Sequence, residues 1–507
     1  MKVLNAKQTK QAEQLAARMG MSGERLMENA GSAAARVIRK SFDLANEKIV
    51  IVTGQGNNAG DGFVVARKLK EYGAKVTVVM AMGITVTADS ALMLGRARQA
   101  QVPMLYYYDD AELGANLLDS ATLLVDAIFG TGFHGVPDRE ISAIIERMNR
   151  SGAKRVALDL PSGVCCDTGE VHGAAVKADL TVSFIGYKPC HFLFPATDFC
   201  GKTVAVPIGI DADRITDFLA DSVEPERALS LLSDIPRDAH KGTKGTAMMI
   251  AGSYGMAGAA ALSAKAAMRS GAGLVRLCLP ESIYPCLAGA LPEVVFRPLR
   301  ERDGFLSAES ITPTLFQNVD SLLIGPGLGA CDATAGAVAR ALSCAAVPTV
   351  IDADGLNIIA DDLSLLRQAK NRVIITPHPG EMARLCGKTV REIQQDRIGT
   401  AVRFANEWNV ITVLKGAYTV IAEPEGRVFI NTTGNAGMAT AGSGDMLAGM
   451  IAAFLANGTE PVSAAVAGVC LHGAAGDAAA AQLGTRGIMT GDMIEQLPAI
   501  FKHRFGG

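Results

Sequence analysis

The sequence predicts an α/β protein of two domains, each built on a largely parallel sheet with helices on both faces. Two observations carry this. Short continuous apolar runs alternate with helix-patterned segments along the whole chain, which is how parallel strands buried on both faces read. At 507 residues the chain also exceeds what one hydrophobic core usually organises, and its 49% hydrophobic and 20% charged composition supplies packed cores rather than disorder.

In order, Ser22 to Lys40 places Leu26, Met27, Ala30, Ala33, Ala34, Val37 and Ile38 at helical spacing. Lys48 to Thr53 (strand), Gly62 to Tyr72 (helix) and Lys75 to Met80 (strand) form a βαβ unit. Further strands are expected at Thr122 to Asp126, Arg155 to Leu160, Asp179 to Phe184 and Thr203 to Val206. Ile208 to Asp238 is rich in Asp and Glu and lacks a long apolar run, which puts the boundary near Asp221, with domains at 1–215 and 225–507. A second series follows at Thr246 to Ala251, Leu274 to Leu279, Ser321 to Ile324, Thr349 to Ile351, Val373 to Thr376 and Ile411 to Leu414. Tyr418 to Ala422 and Arg427 to Asn431 read as a hairpin.

A net charge of −3 gives no basic field for nucleic acid or an anionic membrane, so small-molecule partners are expected. The first twenty residues hold no signal-peptide core and no later apolar run approaches membrane-spanning length, so a cytoplasmic protein is expected. The ten cysteines form no C-x-x-C pair and the seven histidines no ligand spacing, so reduced thiols and no transition-metal site are expected.

Gly54-Gln55-Gly56-Asn57-Asn58-Ala59-Gly60-Asp61-Gly62 joins a strand to a helix, where free amides favour an anion. Alone it reads equally as a structural turn. Asp126 in Val125-Asp126-Ala127-Ile128-Phe129-Gly130 and Asp159 in Asp159-Leu160-Pro161-Ser162-Gly163 occupy two further strand ends of the same crevice. Singly, Asp126 also reads as a helix cap and Asp159 as a turn anchor. With the three motifs in order, residues 1 to 215 resemble the NAD(P)H-hydrate epimerase family, which implies a Rossmann-like three-layer domain. The resemblance implies that Asn58, Asp126 and Ser162 bind potassium. It puts the hydrated nicotinamide nucleotide along Asn57, Asn58, Ala59, Gly60 and Asp61, the loop Gly130, Thr131, Gly132, Phe133, His134, Gly135 and Val136, and Asp159. Inverting C6 needs proton transfer, and Asp159 is the expected catalytic group, with Lys188 either assisting or simply solvated.

In the second half, Gly252 to Gly258 leads into a helix at Ala259 to Ser270. Gly434 to Asp445 ends in Gly442-Ser443-Gly444-Asp445 and runs into the apolar helix Met446 to Leu455. Open amides at such a helix start hold a transferring phosphoryl group, and Asp445 is set to take a proton from an attacking hydroxyl. The alternative is that Asp445 caps its helix. Thr376-Pro377-His378-Pro379-Gly380-Glu381 and Lys415-Gly416-Ala417 lie at neighbouring strand ends. With His240-Lys241-Gly242, these motifs resemble the NAD(P)H-hydrate dehydratase family, a ribokinase-like branch, over about residues 225 to 505. The resemblance implies that Asp445 activates the C6 hydroxyl of the S hydrate toward the nucleotide's terminal phosphate. It implies phosphoryl contacts from Gly444, nucleotide contacts from Lys415, Gly416, Ala417, Tyr418 and Thr419, and a substrate pocket lined by Ala259, Gly327, His378 and Asp445. Magnesium is implied as cofactor and ADP as donor, with ATP left open. The partners expected are then the NADH and NADPH hydrates and ADP, in a homo-oligomer. A rival reading is a small-molecule kinase of the ribokinase-like type with an N-terminal ligand-binding module.

Overall fold

The computed structural model describes residues 1–84 and 86–505, and the chain divides into two compact units, Met1–Asp221 and Ser222–Gly507.

The first unit centres on a seven-stranded sheet in the order Met104–Tyr106, Lys75–Met80, Lys48–Thr53, Leu123–Ala127, Lys154–Leu158, Leu180–Phe184, Lys202–Val206. All its pairings are parallel. Counted by position in the chain the order is 3-2-1-4-5-6-7, so the chain reverses its direction of sheet growth between Lys48–Thr53 and Leu123–Ala127. Such a switch opens a crevice at the strands' carboxyl ends. The alternation of the strands explains the two covering layers: Ile49, Ile51 and Val125 pack into one core, while Val50, Val52 and Leu124 pack into another on the opposite face.

The expected strands agree with the structure to within two residues, while the three-residue edge strand Met104–Tyr106 was not expected, and some helix starts differ by more. The helix expected from Gly62 begins at Asn57 and runs to Glu71, because Gly56 serves as its N-cap and the glycine-rich motif forms its first turn. A helix at Ala6–Arg18, absent from the expectation, is held by a capping box between Asn5 and Gln8.

In the second unit the strands from Thr246 onward repeat the same plan. Their order is Val295–Leu299, Leu274–Pro280, Thr246–Ile250, Ser321–Ile324, Thr349–Ile351, Val373–Ile375, Ile411–Leu414, Val420–Ala422, Val428–Asn431. The first seven of these are parallel neighbours, and the expected hairpin adds two antiparallel strands. Val295–Leu299 was not expected, since its edge position leaves it only half-buried and its pattern weak.

Pro461–Leu483 corrects the expectation that no segment reaches membrane-spanning length. This helix is long and apolar enough by composition, but 72% of its most apolar window is buried inside the unit, beside Ser443–Ala456. Its alanines and glycines permit close helix packing, and Gly468 lies where a side chain would meet Ile451.

Candidate active sites

In the first unit, Gly54 ends the strand Lys48–Thr53 so close to its neighbour that a Cβ there would lie 2.2 Å from the Ile128 carbonyl oxygen. That approach brings Asn57–Glu71 onto the crevice. Asn58 is buried; its Nδ2 donates to the Phe129 carbonyl at 2.7 Å, and its Oδ1 has no hydrogen-bond partner among the described residues. Across the crevice Asp126, fully buried, accepts from Ser162 Oγ at 2.6 Å, Ser162 N at 2.7 Å and Ile128 N at 3.1 Å. Ser162 Oγ also accepts from Phe129 N at 2.9 Å, so Asn58, Asp126 and Ser162 belong to one bonded group. Burial, against the Ser162 and Ile128 hydrogen bonds, pushes the Asp126 carboxyl up to about 6. The cap alternative for Asp126 is excluded, because its oxygens serve a loop rather than a helix start.

Asp159 follows the strand Lys154–Leu158 with φ +67°, a left-handed conformation that costs a non-glycine residue energy. Its Oδ1 accepts from the ammonium of Lys188 and from Phe184 N at 3.0 Å. Lys188 is completely buried, so the solvated-lysine alternative is excluded. A buried ammonium is tolerable only with such partners, here also the Phe184 carbonyl at 2.7 Å and Ser183 Oγ at 3.2 Å. Asp61 is pushed well up by burial, then by the charges of Asp159 and Glu13, with Lys188 opposing. Glu13, on the unexpected helix Ala6–Arg18, is raised by burial and then by Asp159, although it still reaches solvent. In the loop Gly130 to Val136, Phe133 stacks on Phe129 with centroids 4.4 Å apart, and Val136 stands out into solvent.

In the second unit, Ile351, Ile375 and Leu414 end adjacent parallel strands, which puts Asp352, Thr376 and Lys415 at one edge. Asp352 is 1% exposed, and its Oδ1 accepts from Lys415 Nζ at 2.8 Å and Thr376 Oγ1 at 2.7 Å. Glu381 Oε2 lies 3.8 Å from the same ammonium. Burial works against the Lys415 charge, but the Asp352 and Glu381 carboxylates outweigh it and hold its pKa above the usual value. The helix Ser443–Ala456 starts over this pair: a Cβ on Gly444 would lie 3.3 Å from Lys415 Nζ and 3.7 Å from Asp352 Oδ2. Gly442, not Asp445, occupies the N-cap, with φ +86°, so the amides of the first turn, Gly444 among them, are left without helical acceptors. Asp445 sits in that turn with its carboxyl pushed up to about 7 by burial and by the charge of Asp352, with Lys415 opposing.

Of the expected pocket residues, Ala259 and Gly327 adjoin, since a Cβ on Gly327 would lie 2.9 Å from that of Ala259. His378 is the N-cap of Pro379–Cys386: its Nδ1 accepts from Gly380 N at 2.9 Å, while its backbone N donates to Glu381 Oε2 at 2.7 Å. Half of its side chain remains exposed. Gly416, Ala417, Tyr418 and Thr419 lead into the hairpin, with Thr419 Oγ1 closing the turn onto the Gly416 carbonyl at 3.0 Å.

Besides Glu13, Asp352 escaped the expectations from sequence although it directly follows the strand Thr349–Ile351, and so did four other residues near the two sites. Buried Arg397 braces the start of the Lys415 loop through the carbonyls of Leu414 and Lys415, at 3.2 and 3.3 Å, and burial pushes it down to about 10. His472, held near 4 by burial and then by Lys415, lies 3.2 Å from Ser443 Oγ. Asp477 accepts from Gly434 N at 2.8 Å, and His191 touches Asp159. Only the short spacing of Lys188 and His191 could have flagged any of these four.

Two doubly wound α/β units, one with a buried oxygen cluster and a lysine–aspartate pair, the other with an open helix start above a second such pair, define a two-site enzyme. Comparison with known proteins specifies which kind. The family model described as NAD(P)H-hydrate dehydratase matches residues 247–499, and the one described as YjeF-related protein N-terminus matches residues 23–190. The chain is 41% identical to the bifunctional NAD(P)H-hydrate repair enzyme Nnr of Moorella thermoacetica, over 94% of this chain and 92% of that one. It is 36% identical to the enzyme of that name from Escherichia coli, over 95% and 90%. The crystal structure of the ADP/ATP-dependent NAD(P)H-hydrate dehydratase from Bacillus subtilis, co-crystallised with ATP/Mg2+, is 33% identical with TM-score 0.50, covering 56% of this chain and 98% of that one. The chain belongs to the family of bifunctional NAD(P)H-hydrate repair enzymes, and it carries an epimerase and a dehydratase. The fold class expected from sequence, a Rossmann-like domain followed by a ribokinase-like one, is the observed class.

Proposed function

We propose that residues 1–215 interconvert the R and S hydrates of NADH and NADPH, and that residues 225–507 dehydrate the S form at the expense of ADP. The observation that carries the second half is Asp445, a half-buried carboxyl at about 7 beside the open amide of Gly444 and the Lys415–Asp352 pair. A base in that range takes a proton efficiently near neutral pH. Asp445 removes the proton from the C6 hydroxyl, whose oxygen attacks the β-phosphorus of ADP; the bond to the bridging oxygen breaks and AMP leaves. The ring nitrogen then expels phosphate from C6, and loss of a C5 proton restores the dihydronicotinamide. Gly444 N donates to the phosphoryl oxygens, Lys415 to Thr419 hold the nucleotide, and Ala259, Gly327 and His378 wall the substrate.

Magnesium would be held mainly by the nucleotide's phosphates, with Asp352 and Glu381 the carboxylates of this chain nearest to them, and would neutralise phosphate charge there. The unpartnered Oδ1 of Asn58, with Asp126 and Ser162 Oγ, fits potassium, a hard cation taken by oxygen donors, in the first unit. The hydrated nucleotide then lies along Asn57 to Asp61 and Gly130 to Val136, with Asp159 exchanging the proton.

Two outcomes follow. Dehydratase kcat/KM rises with pH through about 7 as Asp445 ionises, then levels off; a profile flat across that range contradicts the assignment. N58A raises the potassium concentration that half-activates the epimerase by about tenfold, the equivalent of about 1.4 kcal/mol for one lost ligand oxygen. Equal epimerase rates in potassium and choline chloride would remove potassium from the site.

A further inference from the structure

The proton-transfer reading of Asp159, on which this inference rests, leaves open how a residue at φ +67° is kept in one working orientation. Strain of this kind persists only where surrounding groups over-determine it. Three contacts do so. The backbone N of Asp159 donates to the Val182 carbonyl at 2.8 Å, its Oδ1 is occupied by Lys188 and Phe184, and its carbonyl oxygen lies 3.1 Å from Nε2 of His191.

His191 is 2% exposed. Its Nδ1 accepts the backbone N–H of Lys188 at 3.0 Å, so that nitrogen carries no proton. The imidazole proton therefore sits on Nε2 and is donated to the Asp159 carbonyl. Burial, followed by the Lys188 charge, pushes the ring down to about 3, which keeps it in this neutral form across the physiological range. One imidazole thus joins the backbone of Lys188 to the backbone of Asp159, the two residues whose side chains form the buried ion pair. No hydrogen bond reaches Oδ2 of Asp159 among the described residues, and that oxygen is the one left for substrate.

We infer that His191 is a positioning residue of the epimerase: its Nε2–H tautomer locks the Asp159 turn so that Oδ2 alone faces the hydrated ring. His191 touches no reacting atom, so its loss acts on kcat and spares substrate binding. A displacement of about 1 Å in a proton-transfer group costs on the order of 100-fold.

The test uses the full chain. H191F keeps the ring volume and removes both hydrogen bonds; H191Q restores a donor near the Nε2 position. Expected are a fall in epimerase kcat of at least about 30-fold in H191F with KM for the R hydrate within about twofold, and recovery of most of that loss in H191Q. Nitrogen-15 shifts of the wild-type imidazole, which need no variant, should report a protonated Nε2 and a bare Nδ1. An unchanged kcat in H191F, a glutamine variant no better than phenylalanine, a loss confined to KM, or the opposite tautomer overturns the inference. D159N run in parallel separates the two ideas. If it keeps enzyme-dependent consumption of the R hydrate, the reading of Asp159 has failed; if it abolishes that activity while H191F does not, only the role of His191 has.

Discussion

Asp445→Asn is expected to lower the dehydratase kcat by about a thousandfold, the middle of the range for loss of a positioned general base. The amide matches the carboxylate in shape, and Gly442 remains the N-cap, so the helix start and its open amides persist. The carboxylate's favourable interaction with the helix dipole is worth only about 0.3–1 kcal/mol, too little to unfold the unit. In the proposed site the nucleotide contacts lie elsewhere, on Lys415 to Thr419, so the KM for ADP should change less than threefold, roughly. Steady-state kinetics on the S hydrate separates these quantities. A large rise in KM with kcat preserved would mean that Asp445 binds rather than reacts.

In the first unit the corresponding result is loss of epimerase activity in D159N, by roughly a hundredfold or more, with dehydration of the S hydrate intact. This substitution has a second effect, because it leaves the fully buried Lys188 ammonium without a counter-charge. Breaking a buried pair costs about 3–5 kcal/mol, so the thermal midpoint of the unit should fall. Replacing both partners, Asp159→Asn with Lys188→Met, removes the stranded charge and should recover most of the stability without recovering activity. If activity returned with stability, Asp159 would be a structural residue. The rate is measured as R-hydrate consumption above the enzyme-free rate.

The architecture was legible because its strands are buried on both faces. Lys48–Thr53 and Ile411–Leu414 are continuous apolar runs that no exposed segment would carry, and each ends in a small residue or a lysine beside a glycine. The residues of the proposed cation group and proposed phosphoryl site stand out for a related reason: Asn58, Asp126, Ser162 and Asp445 lie in local motifs at strand or helix ends. What escaped was whatever depends on contacts between distant segments. Glu13 belongs to an Ala-, Gln- and Lys-rich helix whose buried face is made of Gln8, Thr9, Ala12 and Ala16 rather than large apolar side chains, and it feels the charge of Asp159 only through the fold. Arg397 reads as an ordinary surface arginine until its burial behind Gly416 is seen. His472 lies in the middle of an Ala- and Gly-rich helix, where nothing local distinguishes a partner of Ser443 from a packed ring. The helix starts were missed because a glycine N-cap gives no side-chain signal, at Gly56 as at Gly442.

The most direct test of the whole account is to incubate the wild-type chain with purified S hydrate and ADP and to quantify every product. The account predicts that dihydronicotinamide absorbance returns with one AMP and one inorganic phosphate for each hydrate consumed. A stable phosphorylated nucleotide, with no dihydronicotinamide regained, would make this chain a kinase and contradict it.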